Sequence, residues 1–341
     1  MNDAGNDTLG PGRRVLDPAP VWYGRHPLSA ALLPLSWLYC GVVGLRRLGY
    51  RKGWLSSTRL PIPVIVVGNI SVGGTGKTPL VARLVDYLKA HGWTPGVITR
   101  GYGGRSTRWP LSVTADSDPG LVGDEPVLLA RRAHCVVVAG SDRVQAGRLA
   151  LELGGCDILV SDDGLQHYRL RRDLEVVLID GDRGFGNGRC LPAGPLRELP
   201  GRLASVDLVL YKAGLKSPRP AMRLVSGAAV NLVDSTRTRP LESFRGERLC
   251  AVAGIGNPEP FFAALRRAGL DLDARPYPDH HAYSAEDIRR WPDFPVIMTE
   301  KDAVKCAPFA REHHWYLPVE AELDETLLDD LLSKLAGLTN G

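Results

Sequence analysis

The sequence predicts an α/β protein built on a mostly parallel sheet with helices on both faces. From residue 61 onward, short β-branched apolar runs alternate with helical stretches. These runs are continuously apolar, which is typical of parallel strands that are buried on both faces. A chain of 341 residues is also long enough for two domains, because domains commonly have about 100–200 residues.

The larger unit is predicted over residues 61–225 and the smaller over 226–341, with a boundary at 218–220 and 225–240. Strands of the larger unit are expected at 63–67, 96–99, 135–139, 157–161, 174–179 and 208–210, with helices at 78–90 and 142–153. In the smaller unit we expect strands at 249–253 and 295–298 and helices at 258–268, 284–291 and 324–335.

The charge is unevenly distributed along the chain. The formal net charge is +4, yet residues 1–60 hold eight basic and three acidic side chains, so the remainder is nearly neutral. A neutral body has no broad basic face, and we expect no nucleic-acid partner. The six cysteines include no C-x-x-C pair, which argues against a disulfide framework or a cysteine zinc site and fits a reducing compartment.

Residues 1–20 are expected to be a disordered extension, and residues 21–60 a membrane-associated segment. The stretch 27–45 has no charged residue and is flanked by basic side chains, but polar residues such as Ser29 and Ser36 interrupt it. This combination favours an amphipathic helix lying in a membrane surface. A helix packed against the protein's own body and a membrane-spanning helix are the alternatives.

A glycine-rich segment follows the first strand. Residues 68–79 read GNISVGGTGKTP and lead into a predicted helix, which is the setting of a P-loop. In such a loop, backbone N–H groups converge on phosphate oxygens at a helix N-terminus. The nucleotide-binding residues are predicted to be Ser71, Val72, Gly73, Gly74, Thr75, Gly76, Lys77 and Thr78. Ser71 stands where the usual motif has glycine.

Lys77 is expected to reach the β- and γ-phosphates, and Thr78 to offer its hydroxyl to Mg²⁺. A second part of a P-loop site is an apolar strand that ends in a carboxylate, and Asp162 and Asp163 end the strand at 157–161. We expect Asp162 in the Mg²⁺ shell and Asp163 in support, so the cofactors are ATP or GTP with Mg²⁺. ATP is favoured, because the sequence T-E-K-D at 299–302 lacks the spacing of a guanine-binding motif.

Two further clusters are candidates for proton transfer. Asp124 and Glu125 open a helical stretch, and either could act as the base for a hydroxyl nucleophile. His280 and His281 follow an acidic residue, and one of them could orient a carboxylate base. The alternatives are acids that stabilise a helix N-terminus and histidines of an ordinary loop.

Several segments together resemble the tetraacyldisaccharide 4′-kinases, the lipid A 4′-kinases of Gram-negative bacteria. The resemblance lies in the order and spacing of segments 68–79, 100–104, 123–126, 162–168, 184–188, 191–198, 279–281 and 299–305. It implies two α/β lobes joined by a β-ribbon. The implied reaction is transfer of the ATP γ-phosphate to the 4′-hydroxyl of a tetraacyldisaccharide 1-phosphate, which forms lipid IVA in lipid A biosynthesis.

The resemblance also implies a location and roles for single residues. The protein is expected on the cytoplasmic face of the bacterial inner membrane, with the acylated disaccharide as its partner and no obligate protein partner. Catalytic roles are implied for Asp124, His280, His281 and Lys77. The implied metal ligands are Thr78, Asp162, Asp163 and Glu198, and the implied substrate-binding residues are Arg100, Tyr102, Arg143, Gln166 and His167.

Two other functions fit parts of the sequence. One is a P-loop GTPase or ATPase that acts as a metallocentre or protein-assembly factor, and such a protein would hydrolyse nucleotide without a lipid acceptor. The other is a nucleotide-binding module without enzymatic activity, which would have no use for the acid and histidine clusters.

Overall fold

The computed structural model describes residues 18–214 and 222–339. The predicted boundary at 218–220 therefore lies outside the described residues, as does the predicted disordered extension up to residue 17. Ala19 and Pro20, the last residues of that extension, already belong to a helix.

The described strands form two sheets. The larger sheet has nine strands in the order β15-β8-β7-β6-β1-β5-β2-β4-β3. Its strands are β1 (Val64–Gly68), β2 (Pro95–Thr99), β3 (Leu111–Val113), β4 (Val137–Ala139), β5 (Ile158–Asp162), β6 (Leu174–Asp180), β7 (Leu208–Lys212), β8 (Met222–Ser226) and β15 (Val319–Leu323). All neighbours are parallel except the two edge pairs, β3 with β4 and β8 with β15.

The smaller sheet has six described strands in the order β10-β9-β14-β13-β11-β12. They are β9 (Ala229–Asn231), β10 (Thr238–Arg239), β11 (Leu249–Ala253), β12 (Leu272–Pro276), β13 (Val296–Thr299) and β14 (His314–Leu317). Four strands are parallel to one another, while β9 pairs antiparallel with both β10 and β14. The two sheets confirm the predicted class of a mostly parallel α/β fold.

The helices of the described residues connect the strands and cover the sheets. They are α1 (Ala19–Tyr23), α2 (Pro27–Ala31), α3 (Leu33–Arg51), α4 (Lys77–Ala90), α5 (Pro119–Val122), α6 (Asp124–Ala133), α7 (Arg143–Leu153), α8 (Glu259–Arg267), α9 (Ala285–Arg289), α10 (Glu300–Cys306) and α11 (Glu325–Thr339).

The central strand β1 shows why the strands of the larger sheet have continuously apolar sequences. Ile65 and Val67 point into one cluster of buried residues, which includes side chains of α4, α6 and α11. Val64 and Val66 point into a second cluster on the opposite face, which includes side chains of α7. Since both faces are covered, each residue of β1 must be apolar or small, and its carboxyl end is the edge where a site can open to solvent.

The chain crosses between the sheets at two adjacent points. It leaves the larger sheet after β8 and returns to it as β15, and a hydrogen bond from Gly227 N to Pro318 O joins the two crossings. The antiparallel pair of β8 and β15 is thus a ribbon that connects the sheets. The division at residues 225 and 226 stays a prediction, while sheet pairing groups β15 with the larger sheet and the packing of α11 adds that helix to the same body.

The N-terminal helices attach to the connection between β6 and β7. Ser29 Oγ donates to Ala193 O at 2.6 Å, and Ser36 Oγ donates to Cys190 O at 2.8 Å. The polar residues that interrupt the apolar stretch are therefore the ones that attach it to the protein. None of the helices described between residues 18 and 339 combines the length with the apolar composition needed to cross a bilayer.

A substitution of Gly68, at the end of β1, tests how tightly this edge of the larger sheet is packed. A Cβ at this position would lie 2.6 Å from Cβ of the fully buried Leu165, so Gly68→Ala should lower the free energy of unfolding by about 1–3 kcal/mol. Gly41→Ala in α3 is the control, because nothing lies within 4 Å of the added methyl group and alanine favours a helix. Urea unfolding measures both, and an unchanged midpoint for Gly68→Ala would contradict the packing.

Candidate active site

The phosphate loop connects β1 to α4. Gly73 and Gly76 have φ angles of +114° and +90°, which glycine adopts at little cost, and Gly76 precedes the first residue of α4. The N-terminus of α4 therefore points its free N–H groups into the loop, where an anion can bind. Lys77 begins this helix.

The first half of the loop explains the serine at position 71. Ser71 forms an antiparallel bridge with Leu196, and Val72 N donates to Pro195 O at 2.8 Å. The backbone here is strand-like, so the glycine of the usual motif is not required. The segment that follows also holds the loop, because Arg197 N donates to Ile70 O at 2.7 Å.

Asp163 lies between two cations. Its Oδ1 is 3.3 Å from Lys77 Nζ and 3.1 Å from Arg197 Nη1. Burial alone would raise the pKa of Asp163, but the charges of Lys77 and Arg197 outweigh it and hold that pKa well below its usual value. The predicted supporting role of Asp163 thus has a concrete form, since its carboxylate ties Lys77 to the segment around Arg197.

Asp162, the last residue of β5, has the opposite environment. It is 3% exposed, its Oδ2 accepts a weak 3.4 Å hydrogen bond from Thr99 Oγ1, and its Oδ1 has no hydrogen-bond partner. Burial raises the pKa of Asp162 to about 7, and the nearby negative charge of Glu125 adds to the effect. A buried carboxylate oxygen without a partner suits a hard cation such as Mg²⁺.

The other predicted metal ligand, Glu198, is already occupied. Gln166 Nε2 donates to one of its oxygens at 2.8 Å and Tyr168 OH to the other at 2.5 Å, while Arg202 Nε lies 3.5 Å away. Within residues 18–214 and 222–339, no three acidic, histidine or cysteine side chains are grouped to hold a metal ion. The predicted role of Glu198 as a metal ligand stays a prediction, and in this structure its carboxylate holds the segments that support the phosphate loop.

Three of the predicted substrate-binding residues also face inward. Arg143 is 2% exposed and donates to Gly140 O and Asp162 O at 2.7 and 3.1 Å, and burial lowers its pKa to about 10. Gln166 Nε2 also donates to Asn69 O at 3.2 Å, and His167 Nε2 accepts from Arg143 N at 3.4 Å. Their hydrogen bonds hold the strand ends and loops around Asp162, and their contact with substrate stays a prediction.

Arg100 and Tyr102 differ from these three because they are exposed at the carboxyl end of β2. Tyr102 is 55% exposed, and its ring centroid is 4.9 Å from that of His280. Both side chains can therefore meet a bound molecule, and their predicted contact with substrate is sterically possible.

Asp124 and His280 form a pair that joins the two sheets. Asp124 begins α6 on the larger sheet and is 4% exposed, whereas His280 belongs to the loop after β12 on the smaller one. His280 Nδ1 lies 3.2 Å from both carboxylate oxygens of Asp124. This hydrogen bond raises the pKa of His280. The predicted partnership between Asp124 and His280 thus has direct contact geometry.

Two lysines of α10 surround the same carboxylate. Lys301 Nζ is 3.1 Å from Glu125, 3.4 Å from His280 Nε2 and 4.0 Å from Asp124, while Lys305 Nζ is 3.8 Å from Asp124. Burial alone would raise the pKa of Asp124, but the His280 hydrogen bond and the two lysine charges outweigh it and lower that pKa. Asp124 is therefore ionised at neutral pH and able to accept a proton.

His281 does not reach Asp124. Its Nε2 lies 3.4 Å from Asp287 Oδ2, and its ring packs on Tyr277 and Tyr283 with centroid distances of 4.8 Å. The left-handed backbone of His280, with φ at +57°, turns the two adjacent side chains in different directions. The predicted catalytic role of His281 stays a prediction, and in this structure its ring packs among the side chains of the smaller sheet.

The sequence reasoning missed three basic residues of the site. Arg197, Lys301 and Lys305 all lie within segments that carry the family resemblance, but the sequence predicts no role for them. The lysine spacing was an available signal, because residues four positions apart share a helix face. Nothing in the sequence shows that this face meets Asp124.

Comparison with known proteins identifies the arrangement. The family model of tetraacyldisaccharide-1-P 4′-kinase matches residues 28–336. The chain is 54% identical to the tetraacyldisaccharide 4′-kinase of Alkalilimnicola ehrlichii over 326 residues, which covers 94% of this chain and 98% of the relative. It is 48% identical to that of Nitrosococcus oceani over 314 residues, covering 92% and 93%.

A solved structure agrees with these matches. The ATP complex of LpxK from Aquifex aeolicus superposes with a TM-score of 0.76 at 31% identity, covering 90% of this chain and 99% of that one.

The two adjacent aspartates should respond to pH with opposite sign in the absence of nucleotide. The folded-state pKa of Asp162 is raised, so its ionisation costs stability as the pH rises toward 7, and Asp162→Asn removes that cost. We expect this variant to be more stable than the wild type at pH 8, by on the order of 2–4 kcal/mol, with no advantage near pH 4.

Asp163→Asn is the matched control, since asparagine also tolerates the left-handed backbone found there. The folded-state pKa of Asp163 is lowered, so its contribution to stability is present above about pH 4 and fades as the pH falls below it. This variant should be less stable than the wild type at pH 8. Urea unfolding at several pH values measures both, and the same sign for the two variants at pH 8 would contradict these environments.

Proposed function

The chain belongs to the tetraacyldisaccharide 4′-kinase family, and from this premise we propose that it transfers the γ-phosphate of ATP to the 4′-hydroxyl of a tetraacyldisaccharide 1-phosphate. The product is lipid IVA, an intermediate of lipid A biosynthesis. The observation that carries the proposal is the ionised Asp124, held by His280 beside a phosphate loop. The charge of Glu125, the next residue, acts on Asp162, so the base and the nucleotide site share one sheet edge.

The residues of the site have different roles in the proposed reaction. The N–H groups at the start of α4 and the Lys77 ammonium bind and orient the phosphates, as in other P-loop enzymes. Asp124 accepts the proton of the attacking hydroxyl, and His280 holds the carboxylate through Nδ1. Lys301 contacts the other ring nitrogen, which favours the neutral tautomer with its proton on Nδ1. Arg100 and Tyr102 are placed to contact the disaccharide.

Mg²⁺ fits this site. The unpartnered Oδ1 of Asp162 and the hydroxyl of Thr78, in the first turn of α4, are the groups that would hold it. When bound, the ion neutralises charge on the phosphates. A protein cage is not required, because Mg²⁺ usually takes one or two carboxylates and completes its shell with water and phosphate oxygens.

The membrane surface is the proposed location, on the cytoplasmic face where ATP is available. Leu35, Leu38, Val42 and Leu45 recur along one face of α3 and are each more than half exposed. The opposite face carries Ser36 and attaches to the protein. An apolar stripe that points outward and is followed by basic residues suits an anionic bilayer, where the acylated substrate would be held.

The kinase activity is tested with γ-labelled ATP and a detergent-dispersed tetraacyldisaccharide 1-phosphate. We expect label in the lipid and, for Asp124→Asn, a loss of turnover of about 10²–10⁴-fold with unchanged ATP binding. Glu125→Gln is the matched variant at the neighbouring carboxylate and should lose much less. Release of labelled phosphate without lipid phosphorylation would favour the assembly-factor GTPase or ATPase, and full turnover in Asp124→Asn would exclude this aspartate as the base.

The membrane contact is tested by vesicle sedimentation. The double variant Leu38→Glu with Leu45→Glu should lose binding to anionic vesicles by at least about tenfold, because two carboxylates replace apolar contacts at a negative surface. Leu153→Glu is the control, since Leu153 is 50% exposed at the end of α7, a helix outside the N-terminal segment. Equal vesicle binding by the wild type and the double variant would contradict this orientation.

A further inference from the structure

The turn after β6 carries an arginine to the phosphate loop. Asp180 ends β6, and its Oδ1 accepts hydrogen bonds from Asp182 N at 3.0 Å and Arg183 N at 3.1 Å. Gly184 N closes the same turn by donating to Asp180 O at 2.8 Å. The backbone of Arg183 is therefore fixed relative to the carboxyl end of the larger sheet.

The guanidinium of Arg183 reaches the loop at Gly73. A Cβ built on Gly73 would lie 3.2 Å from Arg183 Nη1, so the charged group is in near contact with the loop backbone. Gly73 is exposed, and its left-handed backbone is part of the curve that surrounds the phosphate position. Arg183 thus meets the loop at Gly73, whereas Lys77 Nζ faces Asp163.

The charge of Arg183, unlike the charges of the neighbouring cations, is not neutralised by a carboxylate of the described residues. Lys77 and Arg197 both face Asp163, and Lys212 Nζ lies 2.5 Å from Asp180 Oδ2. Arg183 instead lies over an aromatic ring, and no carboxylate of the described residues is within ion-pair distance of it. A guanidinium of this kind retains its full capacity for an anion, and its planar fork matches phosphate oxygens.

The ring that supports Arg183 belongs to the N-terminal segment. Arg183 Cζ is 5.5 Å from the ring centroid of Tyr23, the last residue of α1. α1 is itself fixed to the loop that follows Arg183, because Asn187 N donates to Trp22 O at 2.9 Å and Trp22 Nε1 donates to Pro192 O at 3.0 Å. Tyr23 therefore limits the directions in which the long arginine side chain can point.

We propose that Arg183 binds the phosphates of ATP beside Gly73, and that Tyr23 is the positioning residue that holds it there. The choice of ATP rests on the proposed function. The ligand chemistry, a polyphosphate next to the loop, follows from the contact with Gly73 and from the unpaired charge. Because Tyr23 belongs to the N-terminal segment, that segment thereby has a second role, in nucleotide binding.

Equilibrium binding of ATP in the presence of Mg²⁺ and without lipid tests the contact. Arg183→Met should raise the Kd for ATP by about tenfold or more, since one charge-assisted contact is lost, and Arg183→Lys should lie between this variant and the wild type. Arg148→Met, on the exposed side of α7, is the control and should leave the Kd unchanged. A Kd within twofold of the wild type in Arg183→Met, at an unchanged melting temperature, overturns the proposal.

A double-mutant cycle tests the role of Tyr23. Tyr23→Ala should weaken ATP binding about threefold or more in the wild-type background and have little effect in Arg183→Met, because there is then no arginine to position. Tyr23→Phe keeps the ring and should restore binding. Equal losses from Tyr23→Ala in both backgrounds would show a merely structural effect and refute positioning. Because lipid is absent, failure of lipid phosphorylation with these binding results intact would refute the proposed function alone.

Discussion

The contact of Asp163 with Lys77 and Arg197 is the interaction on which the architecture of the site depends. Several carboxylates meet at the carboxyl edge of the larger sheet, and each needs a nearby cation, because an unpaired buried charge is costly. Asp163 meets this need with one cation from the phosphate loop and one from the segment that braces the loop. The Asp163 side chain thereby adds to the backbone hydrogen bonds that hold the loop, and Asp162 beside it keeps an unpartnered oxygen.

The need to place cations beside buried carboxylates also links the two sheets. Asp124 is buried on the larger sheet, but the groups that surround its carboxylate, His280, Lys301 and Lys305, come from elements of the smaller one. The surroundings of this proposed base are therefore complete only when the sheets lie against each other, and the two adjacent crossings of the chain at Gly227 and Pro318 permit that arrangement. The proposed proton transfer and the packing of the sheets thus depend on the same contacts.

Sequence reasoning predicted those parts of the structure that a pattern of a few neighbouring residues specifies. The P-loop, the strand that ends in Asp162 and most helices carry their pattern within a few residues. Burial is not local, and this is why Arg100 and Arg143 received the same predicted role although one is exposed and the other 2% exposed. The return of β15 to the larger sheet also escaped prediction, because its pairing with β8 depends on residues almost one hundred positions away.

The N-terminal helices connect these observations. Their serines attach to the backbone at Cys190 and Ala193, in the same connection between β6 and β7 that carries Arg183 and Arg197 to the phosphate loop. The outward apolar face of α3 and the nucleotide site are therefore held by one continuous segment. A position of α3 on a membrane surface would therefore also fix the orientation of the phosphate loop relative to that surface.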